Sequence, residues 1–202
     1  MTLDRLRPMA DRVIEPTATV ADRLGMSPNA VSLLALVVAG AAGIAFYLGG
    51  RVTGWFAVGA VLVFLNGSLD LVDGALARRQ DVASSQGDLI DHVFDRYADI
   101  LIVGGIAAGV EQYALGFLAV TGVLMTSYLG TQAIAVGMDR VYGGLLGRAD
   151  RLALIAVITA SMVIVPDPVA GLTLVGWLLL VLAVVGHATA FQRFVLATRA
   201  LS

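Results

Sequence analysis

The chain contains no cysteine and no lysine; all thirteen of its basic residues are arginine. Without cysteine there is no disulfide framework, no thiolate nucleophile and no Cys-ligated zinc. Without lysine there is no P-loop, whose lysine must reach the phosphates, and no Schiff-base chemistry. Charge of either sign is scarce. Charged residues make up 14% of the chain and hydrophobic ones 58%, whereas a soluble domain carries about 25% charge. Such a composition belongs to an integral membrane protein. The net charge of −2, with no basic stripe interleaved with aromatics, gives no footing for nucleic acid. Residues 1–26 carry eight charges from Asp4 to Arg23 and no apolar h-region, so they do not read as a cleaved signal peptide.

What the chain does have is apolar runs of membrane length. At about 20 residues per crossing, the sequence divides into six spans, near 30–48, 53–77, 87–110, 114–137, 151–165 and 169–192. Ser27-Pro28 supplies a cap and a first-turn proline for the first span. Ser85 with Asp88 resembles a capping box for the third. Upstream, Leu3, Leu6, Met9, Val13, Val20 and Leu24 recur at helical spacing, which predicts an amphipathic interfacial helix, interrupted or started at Pro8 and Pro16. The expected architecture is therefore all-α and integral to the membrane, one domain over residues 1–202: an amphipathic arm (1–26), six transmembrane helices (27–192) and a cytoplasmic tail (193–202). Eleven arginines fall on the N-terminal side, whereas only Arg51 lies in a loop on the other. By the positive-inside rule both termini are cytoplasmic.

Residues 66–99 hold seven aspartates, of the chain's fifteen acidic residues, between two apolar runs. A charge at the centre of a lipid-facing helix costs roughly 2.5–3.5 kcal/mol, so something must offset it. Asp70 and Asp73 are three apart at the end of the second span, and Asp91 and Asp95 are four apart at the start of the third. Each pair shares a helix face, and the short connection makes the helices antiparallel neighbours. Four carboxylates so placed cannot all ionise without a cation. All-oxygen ligation suits Mg²⁺ or Mn²⁺, and two ions roughly 3.5–4 Å apart form a clamp for phosphoryl displacement. Gly74, Ala77 and Gly87 are small enough to let a nucleotide or pyrophosphate approach the backbone, and Arg78 is placed to pair with a phosphate. Asp81 and Asp88 read as loop and cap residues. Asp99 reads as a supporting group, paired with Arg96 or a tyrosine. His92 and His187 read as structural, and Gly105 with Gly109 as close helix packing.

Asp70, Asp73, Gly74, Ala77, Arg78, Gly87, Asp91 and Asp95 form the pattern D-x₂-D-G-x₂-A-R-x₈-G-x₃-D-x₃-D. In residues and in spacing it resembles the signature of the CDP-alcohol phosphotransferases, and the six-span plan and Ser27-Pro28-Asn29 are similar to that family as well. The resemblance implies transfer of a lipid-phosphate group, phosphatidyl or archaetidyl, from a CDP-linked lipid to an alcohol, with release of CMP. It implies that Asp70, Asp73 and Asp91 hold the metals with a contribution from Asp95, that Asp95 is the base for the acceptor hydroxyl, that Gly74, Ala77, Arg78 and Gly87 bind the CDP-lipid, and that the enzyme is a homodimer.

Within the family the chain is most similar to enzymes that make inositol-phosphate and glycerol-phosphate lipids. Gly143–Arg151 stands where the inositol-phosphate enzymes carry Glu-Arg-Pro-Glu-Arg, so Arg151 and Arg193 are the expected acceptor-binding residues, suited to a phosphorylated alcohol such as glycerol 3-phosphate or inositol phosphate. Those enzymes place a base soon after a Ser-Tyr pair; here Ser127-Tyr128 is followed by Leu129-Gly130-Thr131-Gln132, which argues against inositol phosphate itself. The alternatives are an unphosphorylated acceptor such as serine and, in a different class, a carboxylate-lined transporter. Transporter sites lie near the midplane on broken helices, not at one edge.

Overall fold

The computed structural model describes residues 7–82, 84–138 and 146–201, with side chains from residue 14 onward. Among them seven α-helices follow in order: α1 (Arg7–Arg23), α2 (Pro28–Gly49), α3 (Gly54–Arg79), α4 (Ser85–Gly109), α5 (Tyr113–Ala135), α6 (Arg148–Ser161) and α7 (Leu174–Leu201). The all-α membrane architecture is thus the one the sequence predicts. On length and apolarity alone, however, four helices qualify as spans: α2, α3, α5 and α7. Of the other two predicted spans, α4 carries Asp88, Asp91, Asp95, Arg96 and Asp99 in its first four turns, and α6 has 14 residues, about 21 Å at 1.5 Å per residue. Both exceptions bring charge to the polar site at the end of α3.

The helix boundaries differ from expectation for local reasons. The cap of α4 is Ser84 rather than Ser85: its Oγ accepts from the Gly87 N–H at 3.1 Å, and Asp88 in the first turn faces the positive end of the helix dipole. Ser27 and Pro28 start α2 as predicted, with Ser27 Oγ accepting from Ala30 N–H. α7 starts at Leu174 because Val169 and Leu172 pair across a tight turn through Ala170 and Gly171, both with positive φ. Its other end runs to Leu201, so the predicted tail is helical.

α1 also departs from its predicted form. Leu3 and Leu6 lie outside the described residues, as do the side chains of Met9 and Val13. The helix continues through Pro16, which stands on its exposed side and forgoes one helical hydrogen bond. Its buried face is Ile14, Ala18 and Ala21, set against Val31, Val72 and Leu76; Val20 and Leu24 point outward. Gly25, at φ 69°, ends the helix in a left-handed cap in which Met26 N–H reaches Ala21 O, a conformation glycine adopts without a Cβ penalty. The end of α3 ties the arm down. Arg79 contacts Glu15 and Asp22, each at 3.1 Å, and Gln80 donates to Asp22 at 2.9 Å. The Gln80 hydrogen bond, helped by Arg79, holds the Asp22 carboxyl below its ordinary range.

The core sits where α2 meets α3 and α4, with α5 packed on α7 and α6 on α3. α2 and α3 are antiparallel, pairing Ser32 with Asp73 and Phe46 with Phe56. α2 and α4 are parallel and touch through backbone: a Cβ on Gly105 would overlap the main chain of Gly43, and one on Gly43 the carbonyl of Leu101. Gly105 and Gly109 therefore serve helix packing within the chain, as expected. Gly105→Leu is expected to destabilise the fold by about 1–3 kcal/mol through overpacking, read as a lowered melting temperature in detergent. Gly104→Leu, where a Cβ meets nothing within 4 Å, should melt like the parent.

Candidate active site

The end of α3 and the start of α4 bring Asp70, Asp91 and Asp95 together, one carboxylate oxygen of each lying within 4.8 Å of the others. The expected convergence of four carboxylates is thus three plus one. Asp73 lines the same cleft, but its Oδ2 accepts a 2.6 Å hydrogen bond from Ser32 on α2, and it does not join the close trio. Asp70, Asp91 and Asp95 are half-buried, while Asp73 is 6% exposed.

A cation already sits among them. Arg148, the first residue of α6, places Nη1 2.7 Å from Asp70 Oδ2 and Nη2 2.8 Å from Asp95 Oδ1, with Nε 3.9 Å from Asp99 Oδ1. Nε and Nη1 are buried, and their contacts with the carboxylates are close but poorly directed. The donor set, all oxygen and drawn from two helices, fits a hard divalent cation such as Mg²⁺ or Mn²⁺, and Asp70 and Asp95 show that the cleft draws positive charge.

The other predicted residues are placed as follows. Gly74 and Ala77 are half-buried on α3. Arg78 is exposed at its end, with Nη1 3.5 Å from where a Gly74 Cβ would stand. Gly87 opens α4 opposite Asn29, whose Oδ1 lies 3.9 Å from the corresponding point. Gly87 thus faces the start of α2, and none of these four residues is among those lining the cleft of Asp70, Asp73, Asp91 and Asp95. Asp99 pairs with Arg151 at 3.0 Å, not with Arg96 or a tyrosine; Arg96 instead lies 3.4 Å from Asp95. Arg151 and Arg193 are 7% and 8% exposed, and Arg193 Nη1 donates to Thr126 O at 2.6 Å. Asp81, with φ 53°, makes the turn after α3. His92 Nδ1 contacts Asp88 O within its own helix, and His187 meets Thr121 between α7 and α5. Of the predicted acceptor segment, residues 143–145 lie outside the described residues.

Three site residues have no prediction behind them. Arg148 reads in sequence as a positive-inside anchor; its signal is the three-residue spacing to Arg151, which puts both on one face of α6. Ser32 is a single hydroxyl in an apolar run and gives no signal. Asn66, one turn deeper than Asp70, is 1% exposed, donates to Ala35 O at 2.9 Å and leaves Oδ1 unpartnered.

Residues 25–189 match the family model for CDP-alcohol phosphatidyltransferase. The chain belongs to that family. Among its relatives is the archaetidylinositol phosphate synthase of Methanothermobacter thermautotrophicus, 31% identical over 198 residues, covering 96% of this chain and 92% of that one. Another is the phosphatidylinositol phosphate synthase of Streptomyces avermitilis, 34% identical over 150 residues, covering 70% and 59%. The fold is also that of the Mycobacterium tuberculosis phosphatidylinositol phosphate synthase crystallised with CDP-DAG bound, with TM-score 0.78, 23% identity, and 92% and 94% of the two chains covered. The same enzyme crystallised with manganese and citrate also gives TM-score 0.78, at 22% identity and 91% and 88% coverage. This family member is a membrane transferase of phospholipid synthesis.

Arg148 occupies the Asp70 and Asp95 oxygens that a divalent ion would use. Arg148→Gln, which removes the guanidinium charge, is expected to tighten Mn²⁺ binding on the order of tenfold, about 1.4 kcal/mol, in a titration followed by electron paramagnetic resonance of free Mn²⁺. Unchanged or weaker binding would show that Arg148 does not compete.

Proposed function

We propose that the enzyme transfers the lipid-phosphate group of a CDP-linked lipid to a phosphorylated alcohol, glycerol 3-phosphate or inositol phosphate, and releases CMP. The observation that carries this reading is the meeting of three motif carboxylates, from two facing helices, with an arginine from a third helix. The acceptor oxygen bonds to the lipid-side phosphorus, the bond from that phosphorus to the CMP oxygen breaks, and the acceptor proton passes to Asp95. Two divalent ions, held by Asp70, Asp73, Asp91 and Asp95, supply charge neutralisation for the pyrophosphate. Phosphoryl transfer has a loose transition state, so positioning and electrostatics dominate.

Asp95, as the fourth motif aspartate, takes the role of base that the family resemblance implies; it lies one turn deeper than Asp91, and general-base help is worth about 10²–10⁴-fold. Gly74, Ala77 and Gly87 admit the nucleotide, and Arg78 reaches its phosphate from the exposed end of α3. The acceptor side belongs to α6 and α7. Arg151 and Arg193 are its cations; Asp99 and the Thr126 carbonyl hold them until an acceptor phosphate offers a bidentate partner. The relatives' names favour inositol phosphate, and the missing base after Ser127-Tyr128 favours a smaller acceptor.

The six helices α2–α7 cross the bilayer as a single catalytic unit, with both termini and the site cytoplasmic, and two copies form a homodimer. Because the chain has no cysteine, single introduced cysteines report sidedness: Asp81→Cys should label from the cytoplasm and Arg51→Cys from the opposite face, and the reverse pattern would invert the topology.

Purified protein with Mg²⁺ or Mn²⁺, a CDP-lipid and a panel of alcohols should release CMP with a phosphorylated acceptor and stop on chelation. Folded protein that yields no CMP with any acceptor would overturn the reading. Asp95→Asn should lower turnover about 10²–10⁴-fold while metal-dependent CDP-lipid binding persists. Arg151→Ala should raise KM for the acceptor and leave that for the CDP-lipid unchanged; wild-type kinetics would remove Arg151 from the acceptor site.

A further inference from the structure

Ser32 Oγ lies 2.6 Å from Asp73 Oδ2 and 3.1 Å from Pro28 O. A hydroxyl has one hydrogen to donate. The shorter contact falls in the range of about 2.5–2.7 Å typical of a hydroxyl donating to an ionised carboxylate, which assigns the hydrogen to Asp73. Both side chains are 6% exposed, so water does not compete for the bond. The donor is also fixed in place. α2 touches α4 through the backbone at Gly43 and Gly105, and one turn beyond Ser32 the Ala35 carbonyl accepts from Asn66 on α3. The backbone that carries Ser32 is therefore fixed against α3 and α4, and its hydroxyl holds Asp73 at that position.

Asp73 is also the motif carboxylate that stays outside the close group of Asp70, Asp91 and Asp95. Ser32 occupies its Oδ2, and the residue lines the same cleft as the other three. We propose that Ser32 is a positioning residue which fixes Asp73 apart from the other three carboxylates, so that Asp73 serves one of the two divalent ions and not the other. This rests on the two-ion reading given above. Carboxylate ligands depend on hydrogen bonds from outside the coordination shell for their orientation, and losing such a bond weakens metal binding 10–100-fold. The effect here is selective: the ion held by the close trio keeps its ligands, and the ion that needs Asp73 loses an oriented one.

The test is a Mn²⁺ titration of the full-length protein in nanodiscs, followed by electron paramagnetic resonance, with turnover measured against Mn²⁺ concentration. The unaltered protein should show two affinity classes. Ser32→Ala should weaken one class 10–100-fold and leave the other within about twofold. The Mn²⁺ concentration for half-maximal turnover should rise by the same factor, while kcat at saturating Mn²⁺ stays close to that of the parent. Ser32→Cys preserves the volume with a poor donor and should behave as Ser32→Ala; Ser32→Thr retains the hydroxyl and should restore binding. Two unchanged classes in Ser32→Ala and Ser32→Cys, or equal weakening of both, would overturn the proposal. Asp73→Asn separates it from the reading beneath it: that variant should abolish the class that Ser32→Ala weakens. If Asp73→Asn leaves both classes intact, or the parent shows a single class, the ligand assignment itself fails.

Discussion

Mutual repulsion of carboxylates at the edge of an apolar bundle is the constraint on which the rest of the structure depends. Asp70, Asp91 and Asp95 bring carboxylate oxygens within 4.8 Å of one another, and each charged group near lipid carries a desolvation cost. The chain meets that constraint with cations and donors from other helices. Arg148 spans Asp70 and Asp95, Ser32 takes Asp73, and Arg151 takes Asp99. The acids come from α3 and α4; their partners come from α2 and α6. The bundle closes around the site because the site's charges need groups from every side.

The same constraint accounts for the two helices that depart from a simple span. α4 carries its acids in the turns nearest the site and is apolar beyond Asp99. α6 is short, and its first residue is the arginine that enters the acid cluster. Apolar helices give the molecule its place in the membrane, and α4 and α6 gather their charges around the acids at the end of α3. A transporter would set its ionisable residues near the midplane; here they gather around the ends of α3 and α4.

Much of this was legible in the sequence, and the limits have physical causes. The helix order followed from apolar runs and polar breaks. The metal-type cluster followed from helical spacing, since Asp70 with Asp73 and Asp91 with Asp95 share faces whatever the bundle does. Contacts between distant segments were not legible. Nothing around Ser32 indicates that it meets Asp73, and nothing in Arg148 tells an anchor from a counter-ion. Asp99 was placed as a supporting residue, but its partner, Arg151, sits 52 residues on and is fixed only by packing. The face of α1 was misread because alanines pack closely: Ala18 and Ala21 lie against α3, and the larger Val20 and Leu24 are left outside.

The backbone contact between α2 and α4 has a consequence for how such an enzyme can diversify. Where glycine meets main chain there is no rotamer to turn and no volume to trade, so the spacing of α2 and α4 is fixed by covalent dimensions. α6 meets α3 and α4 instead through long side chains, Arg148 on Asp70 and Asp95 and Arg151 on Asp99. A substitution on the α2–α4 seam therefore moves whole helices, whereas one on α6 changes which charges the acids face and leaves the backbone spacing alone.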